Sequence, residues 1–200
     1  MITIVAGFGR CGSSLVMQML SAGGMDCTSE TSEWPSYEDQ RQTTLLPSES
    51  EWLNEFNGKA IKVLEPAKYL IGVSGLNARA IWLDRAPKQQ AKSTAKLLRE
   101  TRELNMSHDD IAKMAKYFKE ERARNIRVLQ KAINGPLRRM RFEDILRCPQ
   151  IAAAVISDFV PGLRMKPMAA AILDRKPDCF EGLLEHSLVK MGPNPLAICK

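Results

Sequence analysis

The spacing of apolar and polar positions changes in a regular way along this chain. Ile2–Ala6 (I-T-I-V-A) is short, β-branched and apolar, the pattern of a parallel strand buried on both faces. Glycines follow at Gly7, Gly9 and Gly12, and Ser13–Ala22 then reads as a helix stopped by Gly23 and Gly24. Strand, glycine-rich loop and helix in that order open a βαβ unit. Met25–Pro47 is polar and lacks periodicity, which predicts a functional loop carrying Glu30, Trp34 and Tyr37. Ser48, with Glu51 three residues later, predicts a short capped helix over Ser48–Phe56.

The alternation continues. Lys59–Leu64 reads as a second strand, Glu65–Val73 as a helix and Arg79–Leu83 as a third strand. Two long helices follow, one over Pro87–Glu103 with proline in its first turn, the other capped by Ser107 and running to about Asn134. The second has a heavily charged outer face, most simply a solvated one. Leu137–Phe142 is a fourth, more basic strand, and Glu143–Leu146 turns into a helix. The rest is mostly helical, broken by Pro161-Gly162, Pro167, Pro177 and Pro193. No repeat or linker interrupts the chain, so residues 1–200 read as a single domain. The predicted class is α/β: a three-layer α/β/α, P-loop NTPase-like domain around a central parallel sheet of about four to five strands.

Composition narrows the partners. With 44% hydrophobic residues in 200, the chain can bury a substantial core. Its longest apolar stretches, such as Ile151–Ile156, fall far short of a membrane span, and Met1 leads straight into the first strand with no secretory-leader pattern. A cytoplasmic protein is the expectation. The five cysteines are odd in number and form no C-x-x-C pair, which argues for packed thiols and against a disulfide framework or a metal site. The formal charge of +6 favours an anionic partner. Basic residues are spread along helices without interleaved aromatics, which points to an anionic small molecule and away from nucleic acid.

The candidate chemistry lies in the first loop. Gly7-Phe8-Gly9-Arg10-Cys11-Gly12-Ser13-Ser14 has the G-x-x-x-x-G spacing of a phosphate-binding loop, in which backbone N–H groups and a helix N-terminus converge on anionic oxygens. A tight strand-to-helix turn without a ligand is the plain alternative. An ATP- or GTP-binding loop needs lysine after the second glycine, and Ser13 stands there instead. A cation comes earlier, at Arg10. The loop is therefore suited to an anion but poorly suited to γ-phosphoryl transfer.

Arg10-Cys11-Gly12-Ser13-Ser14 resembles the 5′-phosphosulfate loop of sulfotransferases. Two further segments carry the same resemblance in the same order. Arg85, Pro87 and Ser93 match the register in which that family places an Arg and a Ser on the 3′-phosphate of 3′-phosphoadenosine 5′-phosphosulfate (PAPS). Arg141-Phe142-Glu143-Asp144-Ile145-Leu146, with Pro149 behind it, resembles the family's R-Y/F-E-D-L strand-to-helix segment. The resemblance implies PAPS as co-substrate, no metal, and cofactor contacts from Gly9, Arg10, Cys11, Gly12, Ser13, Ser14, Arg85 and Ser93. It implies sulfuryl transfer to a hydroxyl or amine of a small-molecule, carbohydrate or peptide acceptor, with Arg10 at the phosphosulfate bridge and Lys62 assisting the leaving phosphate.

The chain departs from the pattern in two places. Cytosolic members carry K-x-H-x-P on the second strand, whereas Lys62-Val63-Leu64-Glu65-Pro66 has Leu64 in the histidine's place. His108 and His186 lie in motif-poor helical settings and are expected to be exposed. The proton acceptor is then a carboxylate: Glu30, in a segment resembling the C-G-E-E-T of tyrosylprotein sulfotransferases, or Glu65, where some carbohydrate sulfotransferases place a glutamate. The family's C-terminal basic loop is also poorly matched, by Asp174-Arg175-Lys176-Pro177, and surface charge is the simpler reading of Arg175 and Lys176. A P-loop nucleotide or small-molecule kinase, or a non-catalytic nucleotide-binding relative, are the alternatives from other classes.

Overall fold

The computed structural model describes residues 1–27 and 53–172. Glu30, Trp34, Tyr37, Arg175, Lys176, His186 and the first half of the helix predicted over Ser48–Phe56 lie outside the described residues. Residues 53–56 form a short 3₁₀ turn.

Four strands, β1 (Ile2–Gly7), β2 (Ala60–Leu64), β3 (Ala78–Asp84) and β4 (Leu137–Arg141), form one sheet in the order β2-β1-β3-β4. All three pairings are parallel. The unbroken apolar run of β1 is explained by its central place, since every one of its residues is buried. Residue Val5 pairs with Lys62 on one side and Ile81 on the other. The basic strand β4 lies at one end of this strand order, and Arg138, Arg139 and Arg141 are exposed along it, charges that discourage further edge pairing.

Helices cover both faces. On one face α1 (Ser13–Gly23), α5 (Phe142–Arg147), α6 (Pro149–Phe159) and α7 (Met165–Ala170) enclose a core that takes Val5, Ile81 and Leu83 from the sheet. On the other, α2 (Pro66–Tyr69), α3 (Pro87–Arg102) and α4 (His108–Ala132) cover Ile4, Ala6, Ile61, Val63, Ala80 and Trp82. Alternate strand residues thus enter opposite cores, as a period of two requires. The fold is the three-layer α/β/α arrangement with a four-stranded parallel sheet.

Boundaries differ from the sequence expectation mainly in one element. The helix expected over Glu65–Val73 is only the four residues of α2. Pro66 starts it, while Gly72 and Gly75 take left-handed conformations that end any helical continuation. By contrast, α4 begins where expected, with Ser107 and Asp110 closing a reciprocal capping box. Among the described residues, no helix is long and apolar enough to cross a membrane.

After β1 the chain first adds β2 on one side and then crosses to add β3 on the other. The carboxyl ends of β1 and β3 therefore flank a topological switch point, the crevice where ligands bind in open α/β sheets. Gly7–Ser14 leaves the first of these ends and Arg85 the second.

Candidate functional site

The loop after β1 is a tight turn followed at once by a helix. The Cys11 N–H donates to the Phe8 carbonyl at 3.2 Å, closing a four-residue turn over Phe8–Cys11. Arg10 holds a left-handed φ of 66° in that turn. Gly12 is the N-cap of α1 at φ 95°, with no side-chain cap and no acidic residue in the first turn. No side-chain cap and no first-turn carboxylate of α1 itself therefore serve its first amides, the arrangement of a helix N-terminus suited to an anion. A Cβ on Gly12 would run into the Phe142 ring. Around Gly9 the space is open, with no described atom beyond its two chain neighbours within 4 Å of where its Cβ would lie. Cys11 stands in the loop, but its side chain is fully buried in the core below, so only its backbone can meet a ligand.

The predicted cations come together here. Arg10, Arg85 and Lys62 are each at most 8% exposed, and Ser13, Ser14 and Ser93 at most 4%. Arg10 Nε donates to Ser93 Oγ at 3.1 Å, and Arg85 Nη1 donates to the Arg10 carbonyl at 2.8 Å. Lys62 reaches the loop from β2, its Nζ donating to Ser14 Oγ at 3.2 Å. Three buried cations and three buried hydroxyls around one helix N-terminus form a donor set that fits a phosphorylated anion and no cation.

The R-F-E-D segment has a physical reason in this site. The Arg85 guanidinium lies 4.6 Å from the centroid of the Phe142 ring, which also abuts Gly12. Glu143 Oε1 accepts the N–H of Ala86, the N-cap of α3, at 2.9 Å and so fixes the start of that helix just beyond Arg85. Asp84, the residue before Arg85, is gripped by Arg122 at 3.1 Å, by Arg139 at 2.7 Å and by the Trp82 indole N–H at 2.9 Å. Neither Asp84 oxygen is left for the Mg²⁺ role that an acidic residue at this strand end has in nucleotide kinases.

Glu65 ends β2, the strand beside β1, and its N–H donates to the Gly7 carbonyl at 2.8 Å. It holds a left-handed φ of 50°, a costly conformation for a residue with a side chain. Its carboxylate is bound by Lys68 at 2.7 Å and by the Tyr117 hydroxyl at 3.1 Å. The hydrogen bond to Glu65 raises Lys68 above its ordinary value; burial, with the Glu65 charge behind it, raises the Tyr117 phenol. Leu64, where cytosolic sulfotransferases have histidine, packs against the α1 core. His108 is exposed.

Several residues that bear on the site have no motif. Gln90 is 2% exposed and donates Nε2 to the Gly9 carbonyl at 2.8 Å and the Phe8 carbonyl at 3.4 Å. Tyr117 belongs to the helix face that the charge pattern assigns to solvent, and its ring meets Phe8 at a centroid distance of 6.0 Å. Neither has a signal in a single sequence, because the partner is a backbone carbonyl or a residue dozens of positions away. The Cys27 thiol is pushed up to about 12 by burial and the Asp26 charge. Among the described residues, no group of three or more His, Cys, Asp or Glu could hold a metal ion.

No protein-family model matches the chain, and no curated protein matches its sequence. Solved structures do match its fold. The sulfotransferase domain from the curacin biosynthetic pathway superposes with a TM-score of 0.55 at 15% identity, over 93% of this chain and 82% of its own. The sulfotransferase domain from the Synechococcus PCC 7002 olefin synthase gives a TM-score of 0.54 at 16% identity, over 98% of this chain and 85% of its own. The chain has the sulfotransferase-domain fold.

Proposed function

We propose that this chain, folded as a sulfotransferase domain, is a sulfotransferase that uses PAPS and delivers the sulfuryl group to a hydroxyl or amine. One observation carries the reading. Arg10, Arg85 and Ser93, distant in sequence, meet within hydrogen-bond distance beside a phosphate-type loop that has Ser13 where ATP chemistry needs lysine.

PAPS supplies an activated sulfate whose leaving group is the 5′-phosphate of 3′-phosphoadenosine 5′-phosphate (PAP). The Gly9–Ser14 amides, the α1 N-terminus and the Ser13 and Ser14 hydroxyls would hold the 5′ end, with the Cys11 side chain excluded in the core. Arg85 and Ser93 would hold the 3′-phosphate. Arg10 from the α3 side and Lys62 from the β2 side bring positive charge to the oxygen on which negative charge develops, the electrostatic stabilisation in-line transfer requires. The acceptor, a small molecule, carbohydrate or peptide, approaches from the β2 side, where a carboxylate receives its proton. Glu65 ends that strand; Glu30 is the other candidate. Asp84, engaged by Arg122 and Arg139, supports this reading over a kinase.

Calorimetric titration with PAP, PAPS and ATP tests the proposal, followed by transfer of labelled sulfate to an acceptor panel. PAP binding without ATP binding is expected, and ATP-selective binding would overturn it. Glu30→Gln and Glu65→Gln separate the two bases, since only the base variant loses the acidic limb of the pH–rate profile.

A further inference from the structure

Gln90 lies between Pro87 and Ser93 but is not one of the positions that match the family pattern, yet its amide touches the loop at its most constrained point. The turn over Phe8–Cys11 carries positive φ at Arg10 and not at Gly9, the pattern of a type II turn. Type I and type II turns differ by a flip of the central peptide, here Gly9–Arg10. In the flipped form Arg10 would return to negative φ, which an L-residue with a long side chain prefers. Something must hold the strained form, and the Gly9 carbonyl receives the Gln90 Nε2 at 2.8 Å. The same nitrogen lies 3.4 Å from the Phe8 carbonyl, and Arg85 takes the Arg10 carbonyl at 2.8 Å. Three successive loop carbonyls are thus drawn by side chains of the β3–α3 unit. In a trans peptide the N–H points opposite to the C=O. Holding the Gly9 carbonyl toward α3 turns the Arg10 N–H away from α3.

We infer that Gln90 is a positioning residue for the anion cradle: it selects the peptide orientation in which the Arg10 amide serves the 5′-phosphosulfate. The inference rests on the proposed function for the identity of the anion, and on the turn alone for the orientation. A plain packing role predicts equal weakening of every ligand. The positioning role predicts a loss confined to ligands with a 5′-phosphate, because the 3′-phosphate is held by Arg85 and Ser93.

Gln90→Leu keeps the volume and removes the donor; Gln90→Met is a second, more pliable version should the first fold poorly. Each is titrated with PAP and with adenosine 3′-phosphate, which lacks the 5′ group. About a tenfold loss of PAP affinity is expected, the size of one hydrogen bond to a buried acceptor, with adenosine 3′-phosphate binding unchanged. Unchanged PAP affinity, or equal losses for both ligands, overturns the inference. A crystal structure of the variant reads the turn directly: Arg10 at negative φ is expected, and Arg10 still at positive φ overturns the inference whether or not PAP binds. Failure of the wild-type protein to bind PAP instead counts against the proposed function.

Discussion

The Arg10 guanidinium donates to Ser93 Oγ at 3.1 Å across 83 residues of sequence. The hydroxyl accepts this bond with a lone pair and keeps its own hydrogen to donate elsewhere. Under the proposed function that hydrogen goes to the 3′-phosphate, so one side chain links the two ends of the co-substrate site. Ser93→Ala should weaken PAP binding about tenfold. Arg10→Ala should lower turnover by about a hundredfold or more, the usual effect of removing a donor from developing negative charge. In a double-mutant cycle on PAP affinity the pair should couple by about 0.5–3 kcal/mol. Strict additivity would show that the contact has no part in binding.

Gly9 and Gly12 should respond in opposite ways to a methyl group. Gly12 has φ 95°, and its Cβ would enter the Phe142 ring, which also packs against the Arg85 guanidinium. Gly12→Ala should cost about 2 kcal/mol or more in unfolding free energy through strain and overpacking. Gly9 has no such φ and open space around it. Gly9→Ala should therefore leave stability unchanged or raise it by about 0.4–1 kcal/mol. It should still weaken PAP binding, because the methyl occupies the approach of the phosphate to the loop backbone. Denaturant melts beside calorimetry read both effects; a Gly9→Ala protein with wild-type affinity would mean that the anion does not approach there.

The Glu65 cluster predicts an alkaline loss of stability. Lys68 and Tyr117 both titrate above their ordinary values, near 10.5 and 10.0: Lys68 chiefly through its hydrogen bond to Glu65, Tyr117 chiefly through burial, with the Glu65 charge and hydrogen bond behind it. Each folded-state group thus binds its proton more tightly than the unfolded chain does. The stabilisation is complete below pH 10 and is lost as pH rises through the elevated values. Tyr117→Phe should melt about 1–3 °C below wild type at pH 8, the scale of an exposed polar pair. The gap should close as the pH rises above 10. A gap that persists there would mean that the hydroxyl stabilises through packing alone.

Much of this architecture is legible in the sequence because it depends on local period. A buried central strand must be apolar on both faces, so Ile2–Ala6 declares itself; Ser107 and Asp110 are three residues apart and form their capping box without help from the rest of the chain. The short α2 was less legible, since Lys68, Tyr69 and Leu70 are compatible with more helix. Its end comes from left-handed glycines beyond it, while its start is held by Asn125 of α4, whose side chain accepts the Ala67 N–H at 2.8 Å.

The site divides along the same line. The loop, its missing lysine and the identities of Arg10, Lys62, Arg85 and Ser93 can be read along the chain, because residue type and spacing carry that chemistry. What orients them emerges in the folded chain alone: Gln90 on the loop carbonyls, Phe142 against Arg85, Glu143 at the start of α3, and two arginines on Asp84. Each of those contacts joins groups far apart in the chain, and most end on a backbone atom that any residue could supply. A local pattern cannot encode such a partner; the crossing of the chain from β2 over β1 to β3 brings it within reach. The phosphate-type loop is therefore written in the sequence, and the direction in which its amides point is set by the fold around it.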